Sequence, residues 1–137
     1  MGLSSILLHK LGGDVTATDH HPSVNHFLIR NTLLNNDSAI PFERVGWIES
    51  DDQLGLFDLI IGSDLLYEDE HIEQLSKFLV SHAHENCEIV IVDPARGRKA
   101  KLMKQLEKYG FLTTVKKISK IHQLQSEFKG VALTFIR

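Results

Sequence analysis

Three aspartates follow three apolar stretches of the sequence, each at the point where a predicted strand ends. They are Asp19, Asp64 and Asp93. A carboxylate in such a position can accept hydrogen bonds from ribose hydroxyls, or orient a reacting amine and receive its proton. Ligands bind beyond the carboxyl ends of the strands in open parallel sheets, so the three acids predict one polar rim around a ligand. For Asp19 the alternative is a turn residue, since His-His-Pro follows it.

The elements that must position these acids alternate between helix-period and strand-like patterns. Helices are expected over residues 3–11, from Pro22 in a first turn to about 34, over 70–84 and over 98–109. Strands are expected over residues 14–19, 42–47, 57–62, 87–93, 111–119 and 130–137. This alternation predicts one α/β domain over residues 1–137, with a doubly wound, mostly parallel sheet. The run "LFDLIIGSD" is expected to be buried on both faces, as parallel strands are.

The composition is that of an ordinary globular protein and argues against several classes. The chain has 137 residues, a formal net charge of -3 and 42% hydrophobic residues, which does not suit a general nucleic-acid binder. Its one cysteine, Cys87, cannot form an internal disulfide and is expected to be a small buried side chain in a reducing compartment. No apolar run is long enough to cross a bilayer, and no leader-peptide pattern opens the sequence. We therefore expect a cytoplasmic protein whose partners include neither nucleic acid nor a membrane.

The eight histidines raise the question of a metal site. The adjacent pairs are His20-His21 and His82-x-His84, and neither comes with a cysteine or carboxylate at ligand spacing. His82 and His84 are instead expected to close the helix 70–84, where a cationic side chain suits the helix dipole. No metal is expected. A serine hydrolase is also poorly supported, because the sequence lacks a Gly-x-Ser-x-Gly elbow.

Three stretches of the sequence resemble one enzyme family. "DLIIGSDLLYEDEH" is similar to the fourth strand and following loop of the class I S-adenosylmethionine-dependent methyltransferases, and especially to the seven-strand protein-lysine methyltransferases and their bacterial relatives. The family pattern of a small residue, Asp, two apolar residues and Tyr is matched by residues 63–67. "GLSSILLHKLGGDVTATDHHP" resembles the first helix and second strand, and "VGWIES" the short third strand. The resemblance covers essentially the whole chain and implies a Rossmann-like methyltransferase fold.

The resemblance also implies a cofactor, S-adenosylmethionine, and the residues that bind it. Gly2 matches the last glycine of the family's cofactor loop, Asp19 would hold the ribose, and Trp47 would pack on the adenine. The full set of implied cofactor-binding residues is Gly2, Leu3, Asp19, His20, Trp47, Ser63 and Asp64.

The implied reaction is methyl transfer to a nitrogen-bearing acceptor, in the first place a protein side chain, with a small molecule as the other possibility. Asp64 and Tyr67 would be catalytic by orienting the acceptor amine. The acids 68–70 either continue this rim or serve the first turn of a helix, which negative charge stabilises. Arg96 either pairs with Asp64 or a substrate carboxylate, or belongs to a plain surface turn.

The sequence departs from the family at its start. The family core begins with a strand and an acid-x-Gly-x-Gly-x-Gly loop, of which only the last glycine is present here. In the family strand order 3-2-1-4-5-7-6 the missing first strand is central, so strands 14–19 and 57–62 would have unpaired edges. Each unpaired buried backbone group costs ~1–3 kcal/mol against a total stability of ~5–15 kcal/mol. We therefore expect a truncated product, a start-site error or one part of a larger assembly, and self-association through the exposed central strands.

Two other functions fit the same residues. Loss of the glycine loop would suit a methyltransferase-like binding module that no longer catalyses. An acid at the end of the second strand is equally typical of NAD-dependent oxidoreductases built on the same sheet.

Overall fold

A computed structural model of the chain describes residues 2–48, 53–95, 97–118 and 128–137. It forms two compact units, Met1–Leu54 and Gly55–Arg137. The helices are α1 (Leu3–Lys10), α2 (Val24–Leu34), α3 (His71–Ser81) and α4 (Lys99–Lys108). The strands are β1 (Ala17–Asp19), β2 (Phe42–Arg44), β3 (Phe57–Ser63), β4 (Ala83–Asp93), β5 (Leu112–Lys117) and β6 (Val131–Ile136).

The first unit contains α1, α2 and a two-stranded parallel sheet. β1 pairs with β2 from Ala17 opposite Phe42 to Asp19 opposite Arg44. Its core consists of three buried side chains with half-buried apolar neighbours, namely Ile6, Leu28 and Ile40 with Val15, Ala17 and Phe42. Because β1 and β2 run in the same direction, the residues that follow both strands emerge at the same end of this sheet.

The second unit contains a four-stranded sheet in the order β3-β4-β6-β5. β3 and β4 are parallel, and β6 is antiparallel to both β4 and β5. One face of the sheet is buried through alternate residues of β4 and β6, such as Ile89, Ile91, Leu133 and Phe135. α3 contacts β4 and α4 contacts β5, and the apolar sides of both helices are buried. The core of this unit thus lies between the sheet and the two helices.

The fold class predicted from the sequence is confirmed. The sheets contain the expected partial orders, 3-2 as β2-β1 and 4-5-7-6 as β3-β4-β6-β5. Among the described residues, β1 pairs only with β2, and β3 pairs only with β4. The longest described helices have 11 residues, far fewer than the roughly 20 needed to cross a bilayer, and none qualifies as a membrane span. The single domain over residues 1–137 stays a prediction.

The expectations for the burial of β3 and for the end of α3 were wrong. β3 is not buried on both faces, because it is the edge strand of its sheet among the described residues, and Leu59 and Ile61 keep 43% and 39% of their surface exposed. The helix expected to reach residue 84 ends at Ser81, and β4 begins at Ala83. Phe57 donates its backbone N–H to the carbonyl of His82 at 2.8 Å. Strand pairing therefore prevails over the helical pattern at that point.

Because α3 ends at Ser81, His82 and His84 do not lie within the last turn of a helix as expected. His84 lies in β4 rather than at the end of a helix. His82 follows the last turn of α3, and its Nδ1 donates to the carbonyl of Gly55 at 2.9 Å. Its ring also packs against Phe78 with 4.5 Å between centroids. Pro22 lies two residues before α2 instead of within its first turn.

Candidate functional site

Asp19 is held in a defined direction at the end of β1. Its Oδ1 accepts the backbone N–H of His21 at 2.8 Å, and His20 Nδ1 lies 3.5 Å from the same oxygen. This is the hydrogen-bonded turn that aspartate often forms with the residue two positions on. The carboxylate stays partly exposed. The turn and a ligand-binding role are therefore compatible, because the turn orients the group without burying it.

The segment that leads to Trp47 is attached to the same place. Val45 donates its backbone N–H to the carbonyl of Asp19 at 3.2 Å. Arg44 Nε donates to the carbonyl of His20 at 3.0 Å. Trp47 lies two residues after Val45 and is half-buried. The first unit thus brings Asp19, His20 and the Trp47 segment together at the carboxyl end of its sheet.

Gly2 stands at the start of α1 in a conformation that requires glycine. Its φ is +76°, and a Cβ on it would overlap Cδ1 of Leu28, a buried residue of α2. Its carbonyl accepts the backbone N–H of Ile6 at 2.9 Å, which begins the helix. Leu3, the first residue of α1, is largely exposed. The glycine thus allows α1 to pack closely against Leu28 of α2, and its expected role at the cofactor stays a prediction.

In the second unit, Asp64 follows Ser63 at the carboxyl end of β3. Its backbone N–H donates to the carbonyl of Val92 at 2.8 Å, and its φ is +57°. Ala95, just beyond the end of the neighbouring β4, also has a positive φ, of 69°. Left-handed conformations of non-glycine residues are uncommon and collect at functional sites. The ends of two adjacent parallel strands are therefore both shaped by unusual backbone geometry.

Asp64 and Asp93 differ in their surroundings. Asp64 is exposed, whereas Asp93, the last residue of β4, is completely buried. β6 comes close to this strand end, since a Cβ on Gly130 would lie 2.7 Å from the carbonyl oxygen of Asp93. Asp93 thus ends its strand at the same edge of the sheet as Asp64, but its side chain belongs to the core of the second unit. The expectation that the three carboxylates share one rim around a ligand stays a prediction.

Tyr67 lies just after Asp64, in the loop that leads to α3. The fully buried Leu66 anchors the loop, and the Tyr67 ring remains 40% exposed. The ring of His71 meets it edge-on with 5.8 Å between centroids. His71 Nδ1 lies 3.3 Å from Glu68 Oε2. His71 is not among the residues predicted from the sequence, although its spacing of four residues from Tyr67 at a helix start is a local signal of the contact.

Asp69 and Glu70, in the acidic stretch after Tyr67, differ in their contacts. Asp69 pairs with Arg98 at 2.9 Å and also binds Lys101. The hydrogen bond from Lys101, followed by that from Arg98, lowers the pKa of the Asp69 carboxyl below its usual value. Glu70 precedes α3 without making a capping hydrogen bond through its side chain. Asp69 therefore fastens the α3 end of the loop to α4.

Three further expectations concern a metal site, Arg96 and Cys87. Within the described ranges, no group of three His, Cys, Asp or Glu side chains could hold a metal ion. Arg96 lies outside the described residues. Cys87 is buried in β4, and this burial raises the pKa of its thiol.

Comparison with known proteins identifies relatives of this arrangement. The model of a family described as lysine methyltransferase matches residues 1–115. No curated protein matches the sequence significantly.

Several solved structures share the fold. A methyltransferase from Pyrococcus furiosus is 19% identical, with a TM-score of 0.75 over 99% of this chain and 69% of that chain. A ribosomal protein L11 methylase from Lactobacillus delbrueckii subsp. bulgaricus is 24% identical, with a TM-score of 0.74 over 99% of this chain and 65% of that one. Magnesium protoporphyrin IX methyltransferase from Synechocystis PCC 6803, solved with bound SAM, is 19% identical, with a TM-score of 0.71 over 97% and 64%. The chain spans about two thirds of the length of these structures.

Proposed function

We propose, on the premise that the chain belongs to the lysine methyltransferase family, that it serves methyl transfer from S-adenosylmethionine to a nitrogen-bearing acceptor, in the first place a protein side chain. The observation that carries the proposal is Asp64, an exposed carboxylate in a left-handed conformation at the end of β3. Backbone geometry of this kind is maintained where a side chain must point in one direction. Tyr67 follows it in a loop anchored by the buried Leu66.

The first unit contains groups that suit the nucleoside part of the cofactor. The Asp19 carboxylate, oriented by its turn, can accept hydrogen bonds from two ribose hydroxyls. The exposed imidazole of His20 and the half-buried indole of Trp47 offer ring surfaces for the base. Gly2, whose missing Cβ makes room for the buried Leu28, begins α1 next to the exposed Leu3, and both are assigned to the cofactor by their position at the start of this helix. These residues fit the group, and we assign cofactor binding to them.

The second unit contains groups that suit the acceptor and the reacting end. When bound, S-adenosylmethionine supplies an electrophilic methyl group on a sulfonium. Ser63 offers a hydroxyl at the end of β3 for the amino-acid part of the cofactor. Asp64 attracts a cationic amine and can receive its proton before transfer. Tyr67 offers a phenolic hydroxyl that fixes the direction of the amine lone pair.

Calorimetry on the purified chain tests this proposal. S-Adenosylmethionine should bind and NAD should not. Asp19→Ala should weaken S-adenosylmethionine binding, whereas Asp14→Ala, a matched loss of one acid before β1 in the same unit, should leave it unchanged. Transfer of a labelled methyl group should be followed separately into protein and small-molecule fractions. NAD binding alone would favour the oxidoreductase, and a folded chain that binds neither ligand would favour the non-catalytic module.

We also propose that the chain self-associates through its exposed strand edges. β1 and β3 each have a single strand partner among the described residues, which supports this proposal because unpaired strand edges are templates for pairing with another chain. Pairing would also lower the cost of unsatisfied backbone groups.

A further inference from the structure

Two lysines of β5 lie at the same end of the second sheet as the candidate acceptor residues. Pairing across the four strands places one residue from each in a single row, in the order Ser63, Val92, Ala132 and Lys116. Asp64 follows Ser63, and Lys117 follows Lys116. β5 runs in the same direction as β3 and β4, because β4 and β5 are both antiparallel to β6. Asp64 and Lys117 therefore lie at the same end of the sheet.

A third lysine, Lys129, lies at this end as well. β6 runs opposite to β4 and β5, so its start lies where those strands end, and Lys129 comes two residues before it. The next residue, Gly130, lies against the end of β4, since a Cβ on it would lie 2.7 Å from the carbonyl oxygen of Asp93. Lys116, Lys117 and Lys129 are all exposed, and we call them the basic corner.

The charges of the basic corner are not neutralised by the described part of the chain. Lys77 forms an ion pair with Glu73, and Lys101 with Asp69. The acids of the described ranges form no such pair with any lysine of the basic corner. Protection of a sheet edge accounts for charged residues on β5, which is an edge strand. It does not account for Lys129, because β6 has a neighbour on each side.

The other side of the same sheet end is acidic. Asp64 and Glu68, which follow β3, are both exposed. β3 and β5 are separated by β4 and β6, which is three strand spacings or about 14 Å. This end of the sheet therefore presents negative charge beside β3 and positive charge beside β5, at a distance that the strand order determines.

We propose that the basic corner binds an acidic residue of the acceptor protein, about four positions from the methylated side chain in an extended segment. The cationic acceptor amine would lie at Asp64, and the carboxylate would lie at the basic corner. The inference rests on the proposed methyl transfer and specifies its acceptor as a polypeptide that contains both signs of charge.

The spacing follows from the dimensions of an extended chain. Such a chain advances ~3.3 Å per residue, so about four residues span the ~14 Å between β3 and β5. Side chains separated by an even number of residues also point to the same side of the chain. The amine and the carboxylate can therefore both face the enzyme. A nucleic-acid strand is less suitable, because its closely spaced phosphates would also meet Asp64 and Glu68.

A series of synthetic peptides tests the spacing on the wild-type chain. Each peptide contains one lysine in a glycine and serine background. The first has aspartate four positions away on both sides, the second has asparagine there, and the third has aspartate only two positions away on both sides. The first peptide should have a dissociation constant roughly fivefold lower than the other two in NMR titrations, the effect of one exposed ion pair. Its kcat/KM for transfer of a labelled methyl group should be higher by the same factor.

Charge reversal identifies the residues responsible. Lys116→Glu combined with Lys117→Glu should remove the preference for aspartate and favour a peptide with arginine at the same positions. The matched control is Lys104→Glu combined with Lys108→Glu, which makes the same change of charge on exposed residues of α4. This control should retain the wild-type preference. The peptide series on the wild type does not depend on the folding of either variant.

The outcomes separate this inference from the proposed function. Equal binding and equal transfer for the three peptides would overturn the acidic-residue site and leave methyl transfer standing. Preference for the first peptide in the titrations, without transfer to any peptide, would support the site and count against methyl transfer. A preference that survives reversal of Lys116 and Lys117 would overturn the basic corner as its cause. Single-stranded RNA that binds more tightly than the first peptide, and loses binding on the same reversal, would overturn a polypeptide as the ligand.

Discussion

Substitutions of Asp64 separate the demands of its backbone from those of its carboxylate. The residue has a φ of +57°, a conformation that costs an ordinary L-residue ~1–2 kcal/mol and that asparagine and aspartate tolerate better. Asp64→Asn should leave the free energy of unfolding nearly unchanged. Asp64→Ala should lower it by about 1 kcal/mol because its Cβ is strained there without a compensating polar group. Asp64→Gly should fall between them, since relief of strain is offset by the greater freedom of glycine in the unfolded chain.

The methyl-transfer rates of these variants should not follow the order of their stabilities. If the carboxylate orients the acceptor amine and receives its proton, Asn, Ala and Gly at position 64 should all reduce methyl transfer by roughly 10²–10⁴-fold. Asn36→Ala is the matched backbone control, because Asn36 also has a positive φ, of 52°, and has no proposed chemical role. It should lose stability without a change in the transfer rate of the folded protein. Urea unfolding and a labelled-methyl assay measure the two effects. Turnover of Asp64→Asn at the wild-type rate would refute the reasoning.

Three further perturbations test single features of the structure. Asp19→Ala should weaken S-adenosylmethionine binding by about 1–3 kcal/mol, the usual effect of losing hydrogen bonds to a charged group, as measured by calorimetry; unchanged affinity would reduce Asp19 to a turn residue. Gly2→Ala should lower the free energy of unfolding by about 2–4 kcal/mol in urea titrations, since it adds left-handed strain to an overlap with the buried Leu28; a smaller loss would mean that the leucine moves aside. Asp69→Asn removes a carboxyl whose pKa is lowered mainly by Lys101. A carboxyl whose pKa is lowered in the folded protein stabilises the fold above the ordinary carboxyl range, and this stabilisation is lost as pH falls through the folded value. The variant should therefore melt at a lower temperature than wild type at neutral pH and at the same temperature in acid. An equal difference at both pH values would contradict this.

The sequence predicted those parts of the fold that depend on local patterns. α1 was expected over residues 3–11 and extends over Leu3–Lys10, and Gly13 donates its backbone N–H to the carbonyl of Leu8 at 3.0 Å just beyond its end. The alternation of elements was also predicted, because hydrophobic periodicity indicates it. The partial strand orders were implied by the family resemblance. The start of β4 at Ala83 was not, since it depends on a pairing with Phe57, 26 residues away, that leaves no local signal.

The candidate site was likewise predicted in part from the sequence. The acids at strand ends could be identified from their positions in the sequence, and the family resemblance added Gly2 and Trp47. Burial separated Asp64 from Asp93, and burial depends on the neighbouring strand, since β6 comes within close contact of Asp93 at Gly130. The edge-on packing of His71 against Tyr67 depends on how the loop enters α3. The burial of Asp93 does not follow from composition or spacing, whereas the four-residue spacing of Tyr67 and His71 is a local signal of their contact.

The amino-acid composition of β3 does not match its position in the sheet. A run such as LFDLIIGSD is typical of a strand with neighbours on both sides, and edge strands that face water usually contain charged residues, as β5 does with Lys116 and Lys117. In the described chain β3 has one neighbour and exposed apolar side chains. A sequence suited to an interior strand therefore lies at an edge, and exposed apolar surface of this kind is a recognised mark of interaction sites. Strand pairing at this edge, as in the proposed self-association, would remove the disagreement, because β3 would then have a neighbour on each side.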